Sequence, residues 1–347
     1  MTFSRRNALA AGASLALAAC ARRGLSGDKP KPIDTKRLDH DFPALANRAR
    51  PGAFAVGVMD LSTSVTWYWN IDRPFPLANA FVAPLAAAAL AEVDAGRMSL
   101  GEPVRFNDLD LAAPPSIINA RWPTATDGLS ATIPVSTLFT LALQQGDNTA
   151  ADVLMKRIGG PSAVTAWLEL KQVTELRVDR YERELQVEMA GMPTFRPAWK
   201  DPASFAAARD QVPAPDRQTA MDAFLSDPQD TTTLPGALNF LSKLAAGDLL
   251  SPASTALLLK WMEGERAGRG RLRAGLPNGA RLSHTAGSTA TDVGFTPATN
   301  DIGVATLPNG ARYAIAAFLA GSTATVPQRD ALFADAAKLI VKAAGQG

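Results

Sequence analysis

The chain has 347 residues, 47% hydrophobic and 20% charged, a balance that excludes a disordered tail or a collagen-like fibre and allows a sizeable core. Its formal net charge is +2, the equivalent of Arg5 and Arg6 alone, so no strong basic face for nucleic acid is implied. One cysteine and two histidines, His40 and His284, are too few for an intramolecular disulfide, a zinc cluster or a multi-histidine metal site, and no G-x-x-x-x-G-K-[ST] loop is present; neither metal nor cofactor is expected.

In chain order, Arg5-Arg6 reads as the pair of a twin-arginine export signal. The apolar run Ala8 to Ala19 is shorter than the ~20 residues that span a bilayer and reads as a signal core. It ends in Leu17-Ala18-Ala19-Cys20, which resembles a lipobox, with Cys20 as the lipidated first residue after cleavage of residues 1–20. Two acyl chains there would be the only hold on a membrane. Residues 21–36, with Gly24, Gly27, Pro30 and Pro32, read as a flexible tether, and 37–347 as the folded domain.

Phe54 to Asn70 predicts two strands joined by the turn Leu61 to Ser64. Phe81 to Ala95 is alanine-rich, lacks a polar face and predicts a buried helix closed by Gly96. Ile133 to Ile158 predicts helix with a break near Gly146, stopping at Gly159-Gly160-Pro161. Ser251 to Glu263 begins with an N-cap serine and Pro252 in the first turn. Ala280–Thr285, Asp301–Leu307 and Tyr313–Ala320 read as strands, the last two joined by a Pro308-Asn309-Gly310 hairpin, and Pro327 to Ala344 as a closing amphipathic helix. Strands at both ends around a helical middle predict an α/β (α+β) sandwich: a mixed antiparallel sheet shared by both chain ends, plus an all-helical subdomain over about 79–250.

Several stretches then fall into one order. Phe75 to Val82 fits an F-P-x-x-S-x-F-K context, Gln145 to Ala151 an S-D-N region, and Arg177 to Gln186 an R-x-D-R-x-E-P-E-L-N segment. Asp230-Thr-Thr-Thr, Leu249 to Ser254, Trp261-Met262, a Ser283 to Ala286 stretch in the place of K-T-G, and Thr299 to Ile302 follow. From about Leu38 to Ala344 the chain thus resembles the class A serine β-lactamases, which implies the β-lactamase-like fold and the S-x-x-K, S-D-N and K-T-G chemistry of that family.

The resemblance puts Asn79 at the nucleophilic serine, Val82 at its lysine, Gly146 at the relay serine and His284 at the anchoring lysine. An amide nitrogen has no free lone pair for acyl transfer, and valine cannot take a proton. An unperturbed imidazole is mostly uncharged at neutral pH, so the anchoring charge is expected to be mostly lost. The remaining S-x-x-K, Ser26 to Lys29, lies in the tether. Glu182 keeps the general-base position and Gln186 stands for the asparagine that helps hold water, while Asn148, Gln186, His284 and Thr285 are the candidate ligand-binding groups. Without a lysine neighbour, burial is expected to raise the Glu182 pKa. Asp147 is read as a backbone-capping residue. Between Gln186 and Asp230 the chain exceeds the family's Ω-loop; this 187–229 insert carries Phe195, Trp199, Phe205 and Phe224, with a helix at Ala203 to Arg209, and its rings either cover the pocket or offer a partner surface.

Three readings follow. One is a non-catalytic envelope lipoprotein that binds a β-lactam or peptidoglycan-fragment ligand. Another is an amide hydrolase that uses Glu182-activated water or a displaced hydroxyl. The third is an interaction module whose insert binds an envelope protein.

Overall fold

The computed structural model describes residues 32–122 and 130–345; Cys20, the signal segment and most of the tether lie outside them. The central sheet has strand order β2-β1-β5-β4-β3, where β1 is Ala53–Asp60, β2 Thr66–Trp69, β3 Arg281–Ser288, β4 Thr296–Thr306 and β5 Arg312–Ser322. Every pairing in it is antiparallel. Both ends of the chain therefore build one sheet, as expected. The β4–β5 turn closes with Gly310 donating to the Leu307 carbonyl, at a φ of +87° that glycine adopts freely.

Side chains alternate across this sheet with period 2. Phe54, Val56, Val58, Ile315, Ala317 and Leu319 face one core with Phe42 and Phe333, which are carried by α1 (Thr35–Asn47) and the closing helix Val326–Ala343. Ala55, Ala314, Ala316 and Phe318 face the other, larger core, built by the helical middle. Helix α1 was not anticipated. Its N-cap Asp34 accepts the Arg37 N–H, and Ile33 is already buried, so the folded domain starts before the end of the segment read as tether.

At the centre of the larger core lies α2 (Val82–Asp94), buried without interruption from Val82 to Leu90. Its small alanines let neighbouring helices approach closely, at roughly 1.5–3 kcal/mol for each fully buried large aliphatic side chain such as Leu85. The stretch expected as helix from Ile133 breaks near Gly146 as expected, but it opens with a strand. Ser130–Pro134 is a strand paired with Pro103–Asn107, and the helices are Val135–Gln145 and Asn148–Arg157. The alternating Ala131, Ile133 pattern and Pro134 favour the strand, because proline lacks the donor a helix interior needs. Gly146 ends the first helix in the left-handed region, φ +62°, and Asp147 caps the second.

The insert is folded. Two helices, Pro202–Arg209 and Ala214–Ser226, occupy it, and the second was not expected. Pro213 and Pro215 there mark a helix start, not a loop. Phe195 is buried in the larger core beside Trp199, and Phe224 is buried with Leu185, Met189 and Met221. Those two rings hold the insert down and do not face a partner. Among the described residues no helix is long and apolar enough to cross a membrane.

Candidate functional site

The motif residues converge where a tight turn enters α2. Residues Ala78–Phe81 form a 3-10 turn, and Ala78 takes φ +41°, a strained value for a non-glycine residue. The strain is held from outside: Asn300 Nδ2 lies 2.7 Å from both the Pro76 and Leu77 carbonyls, and the Leu77 N–H donates to the Asp230 carbonyl. The turn therefore presents Asn79 to a cleft while sending Val82, fully buried, into the core. Val82 does not line the cleft.

Gly146 and Asn148 form one wall of the cleft, with Gln145 and Pro115 beside them. Asp147 between them turns inward: its carboxylate accepts from the Ser116 hydroxyl and from the Ile117, Ile118 and Ala150 N–H groups at 2.7–2.9 Å. It is a structural cap. Asn148 is buried and donates to the Ala113 carbonyl at 3.0 Å, which leaves its Oδ1 for other partners. The loop before this wall brings no aromatic ring to the cleft; Trp122 is buried against Phe106, ring centres 5.3 Å apart.

The third wall is the N-terminal turn of Glu182–Met189. Asp152 fixes it by accepting the Glu182 and Arg183 N–H groups at 2.8 and 2.9 Å. Glu182 is buried, and Gln186 Nε2 donates to its Oε2 at 2.7 Å, so the carboxylate and the amide act as one unit. Burial pushes the Glu182 carboxyl up to about 7, against the opposing hydrogen bond from Gln186.

The fourth wall is β3. Thr285 and Gly287 face Asn79: the Thr285 hydroxyl donates to the Asn79 carbonyl at 3.4 Å, and a Cβ on Gly287 would lie 2.3 Å from Asn79 Cβ. His284 and Ala286 face the segment that carries Gly268, where a Cβ on Gly268 would lie 2.4 Å from Ala286 Cβ and 3.1 Å from His284 Cε1, and Ala286 and Ala267 both line the cleft. His284 is buried, its Nδ1 2.7 Å from Asp301 Oδ1. Burial would lower the imidazole pKa, but the Asp301 carboxylate outweighs it and the net direction is upward. One expectation changes: the charge of His284 is favoured by Asp301, not lost. Thr285, fully buried, and Gly287 are the residues of the strand in contact with Asn79, and neither His284 nor Thr285 lines the cleft.

Ser288 and Thr289 line the cleft beyond Gly287, and the sequence reading did not name Thr289. The Ser288 hydroxyl accepts from Arg271 Nη2 at 2.8 Å and donates to Thr299 at 3.2 Å. Thr289 Oγ1 exchanges hydrogen bonds with the Ala298 backbone. A period-2 reading from Gly287 points to Thr289, since only glycine fits against the Asn79 turn. The cleft volume is about 150 Å³. A roomier groove of about 490 Å³ opens against the outer side of the Glu182–Met189 helix, lined by Arg183, Glu184 and Phe195 and by none of the motif residues except through that helix. Among the described residues no group of three His, Cys, Asp or Glu side chains converges to hold a metal.

Residues 37–344 match a family model described as the beta-lactamase enzyme family. The chain is 26% identical to beta-lactamase VEB-1 of Pseudomonas aeruginosa over 84% of this chain and 85% of that protein. It is 27% identical to beta-lactamase L2 of Stenotrophomonas maltophilia over 97% and 96%. Among solved structures, a beta-lactamase from Chitinophaga pinensis superposes with a TM-score of 0.72 at 25% identity, covering 88% of this chain and 99% of that one. A class A beta-lactamase reconstructed for the last common ancestor of Gram-negative bacteria gives 0.69 at 31% identity, covering 88% and 98%.

Proposed function

This chain belongs to the beta-lactamase enzyme family, and from that premise we propose that it is a non-catalytic member, a lipid-anchored envelope protein that binds a β-lactam or a peptidoglycan fragment in the Asn79 cleft without opening it. One observation carries the reading. The hydroxyls that line the cleft, Ser288 and Thr289, are bonded to Arg271, Thr299 and the Ala298 backbone, with no lysine, histidine or carboxylate bonded to either. A hydroxyl becomes a nucleophile when an adjacent base takes its proton, and Asn79 and Val82 supply neither partner. Anchoring through Cys20 and export through Arg5-Arg6 belong to the same reading. Palmitate label should enter the protein and be lost in Cys20→Ser.

The Glu182–Gln186 pair favours a second reading, slow hydrolysis by activated water, because a carboxyl near 7 bonded to an amide can take a proton at working pH. Chromogenic cephalosporin turnover by the full chain separates the two. The non-catalytic reading expects no rate above buffer. A rate that disappears in Glu182→Ala overturns it and supports the second. The third reading, envelope-protein binding through the insert, would use the exposed faces of Pro202–Arg209 and Ala214–Ser226, because Phe195 and Phe224 are buried.

A further inference from the structure

We infer that the Asn79 cleft selects a neutral amide, a group of N-acetyl size, and rejects a carboxylate; this rests on the reading of the cleft as a binding site and narrows its ligand to the peptidoglycan fragment, since penicillins and cephalosporins carry a carboxylate beside their amide. The first support is charge. Among the described residues, no lysine, arginine or histidine lines the cleft, and the one ionisable group that does is Glu182. The nearest cation behind the wall is Arg271, which reaches Ser288 but is already occupied. Its Nε donates to Asp330 at 2.9 Å, and Nη1 donates to the Gly287 and Asn300 carbonyls at 2.9 and 2.8 Å. Asp330 balances its charge, and its hydrogen on Ser288 is spent inside the wall. Arg266 and Arg269, on the loop that brings Ala267 to the rim, are exposed and do not line the cleft. A carboxylate entering here would lose its hydration without gaining a counter-charge, and would meet Glu182.

The second support is the hydrogen-bonding that remains. Four carboxamides line the cleft: Asn79, Gln145, Asn148 and Gln186. Asn148 and Gln186 each spend a donor on the protein, on the Ala113 carbonyl and Glu182. The side chains of Asn79 and Gln145 make no hydrogen bond to another described residue. A carboxamide offers a donor and an acceptor side by side, and its best complement is another amide, which returns one of each. Size agrees. About 150 Å³ is below the ~300–1,000 Å³ of drug-sized pockets. It admits an acetamido group, with the rest of a larger ligand outside.

The test is a binding titration of the full chain, followed by NMR of the side-chain amides, with N-methylacetamide and N-acetylglucosamine against acetate and N-acetylmuramic acid. The last pair matters because N-acetylmuramic acid carries the same acetamido group plus a carboxylate. The neutral probes are expected to bind weakly, with a dissociation constant on the order of millimolar for so few atoms, and to shift the Asn79 and Gln145 amide resonances. The acids are expected at least ~10-fold weaker. Asn79→Leu should abolish the neutral binding, and its far-ultraviolet spectrum checks the fold. Ala267→Lys, at an exposed residue of the rim, should reverse the preference toward the acids. Equal or tighter binding of the acids overturns the inference, as does the absence of binding by every probe. Cephalosporin turnover alone would overturn the non-catalytic reading and leave this selectivity standing.

Discussion

The clamp under the Ω segment and the floor of the cleft treat charge in opposite ways. In the clamp, Asp230 Oδ1 accepts the Asp179 and Arg180 N–H groups at 2.7 and 3.2 Å, and its Oδ2 accepts from Arg180 Nε at 2.7 Å. Asp179 returns a bond from the Asp230 N–H, and Arg180 reaches Glu188 and Asp227. Asp147 in the cleft wall behaves alike. In the floor and the core directly behind it, the positions that the family resemblance assigns to ionisable and nucleophilic groups hold Asn79, Val82 and Gly146, and Thr285 faces Asn79 from the strand. On the proposed reading, charge is retained where it satisfies backbone and absent from the positions of the acyl-transfer groups. Polar groups that hold a fold are therefore separable from those that perform a reaction on it, even within one loop and one turn of helix.

The largest effect expected from challenging this contrast comes from returning charge to the floor. Val82 is fully enclosed by the larger core. Val82→Lys should therefore lower unfolding stability by ~5 kcal/mol in urea, the scale of a lysine buried without a partner. A loss below ~1 kcal/mol would mean that the floor still accommodates a cation. Removing charge from the clamp comes next. Asp230→Ala strands two N–H groups and takes one of three carboxylates from Arg180, which keeps Glu188 and Asp227, and should cost about 3 kcal/mol by the same measurement.

Glu182 sits between the two regions and should show it through pH. Its pKa rises from 4.5 to about 7 on folding because the site is buried. The folded state thus holds the proton more tightly than the unfolded one. The stability this contributes is fully present below 4.5 and is lost as pH rises through about 7. Between pH 4 and 8 the parent should lose ~3 kcal/mol relative to Glu182→Gln, and the side-chain carbon should titrate near 7 by NMR. A midpoint at the ordinary carboxylate value would contradict the burial. The smallest effect is Thr285→Val, which removes a long 3.4 Å bond to the Asn79 carbonyl and should cost ~1 kcal/mol or less.

How much of this was readable from residues differs by kind of signal. Strands with alternating apolar residues, the capped Ser251 helix and the ordered motifs carry their structure locally, so the sandwich could be read, and so could the meeting of Asn79, Gly146 and Glu182 in one cleft. The β3 wall could be read only in part, because the contact of Gly287 with Asn79 joins parts of the chain far apart in sequence. The Asp301 partner of His284 is likewise non-local, which is why an ordinary imidazole was expected. The insert was misread for another reason: its prolines and scattered rings resemble a loop, whereas Phe195 and Phe224 are anchors whose burial depends on the core they meet.

The most direct test of the account is intact-mass analysis of the full chain after incubation with benzylpenicillin. An unshifted mass is predicted, because no cleft hydroxyl has a base to activate it and Asn79 has no nucleophilic atom to acylate. A mass increased by one penicillin, mapped by fragmentation to Ser288, Thr289 or Thr285, would contradict the account and place a working nucleophile on β3.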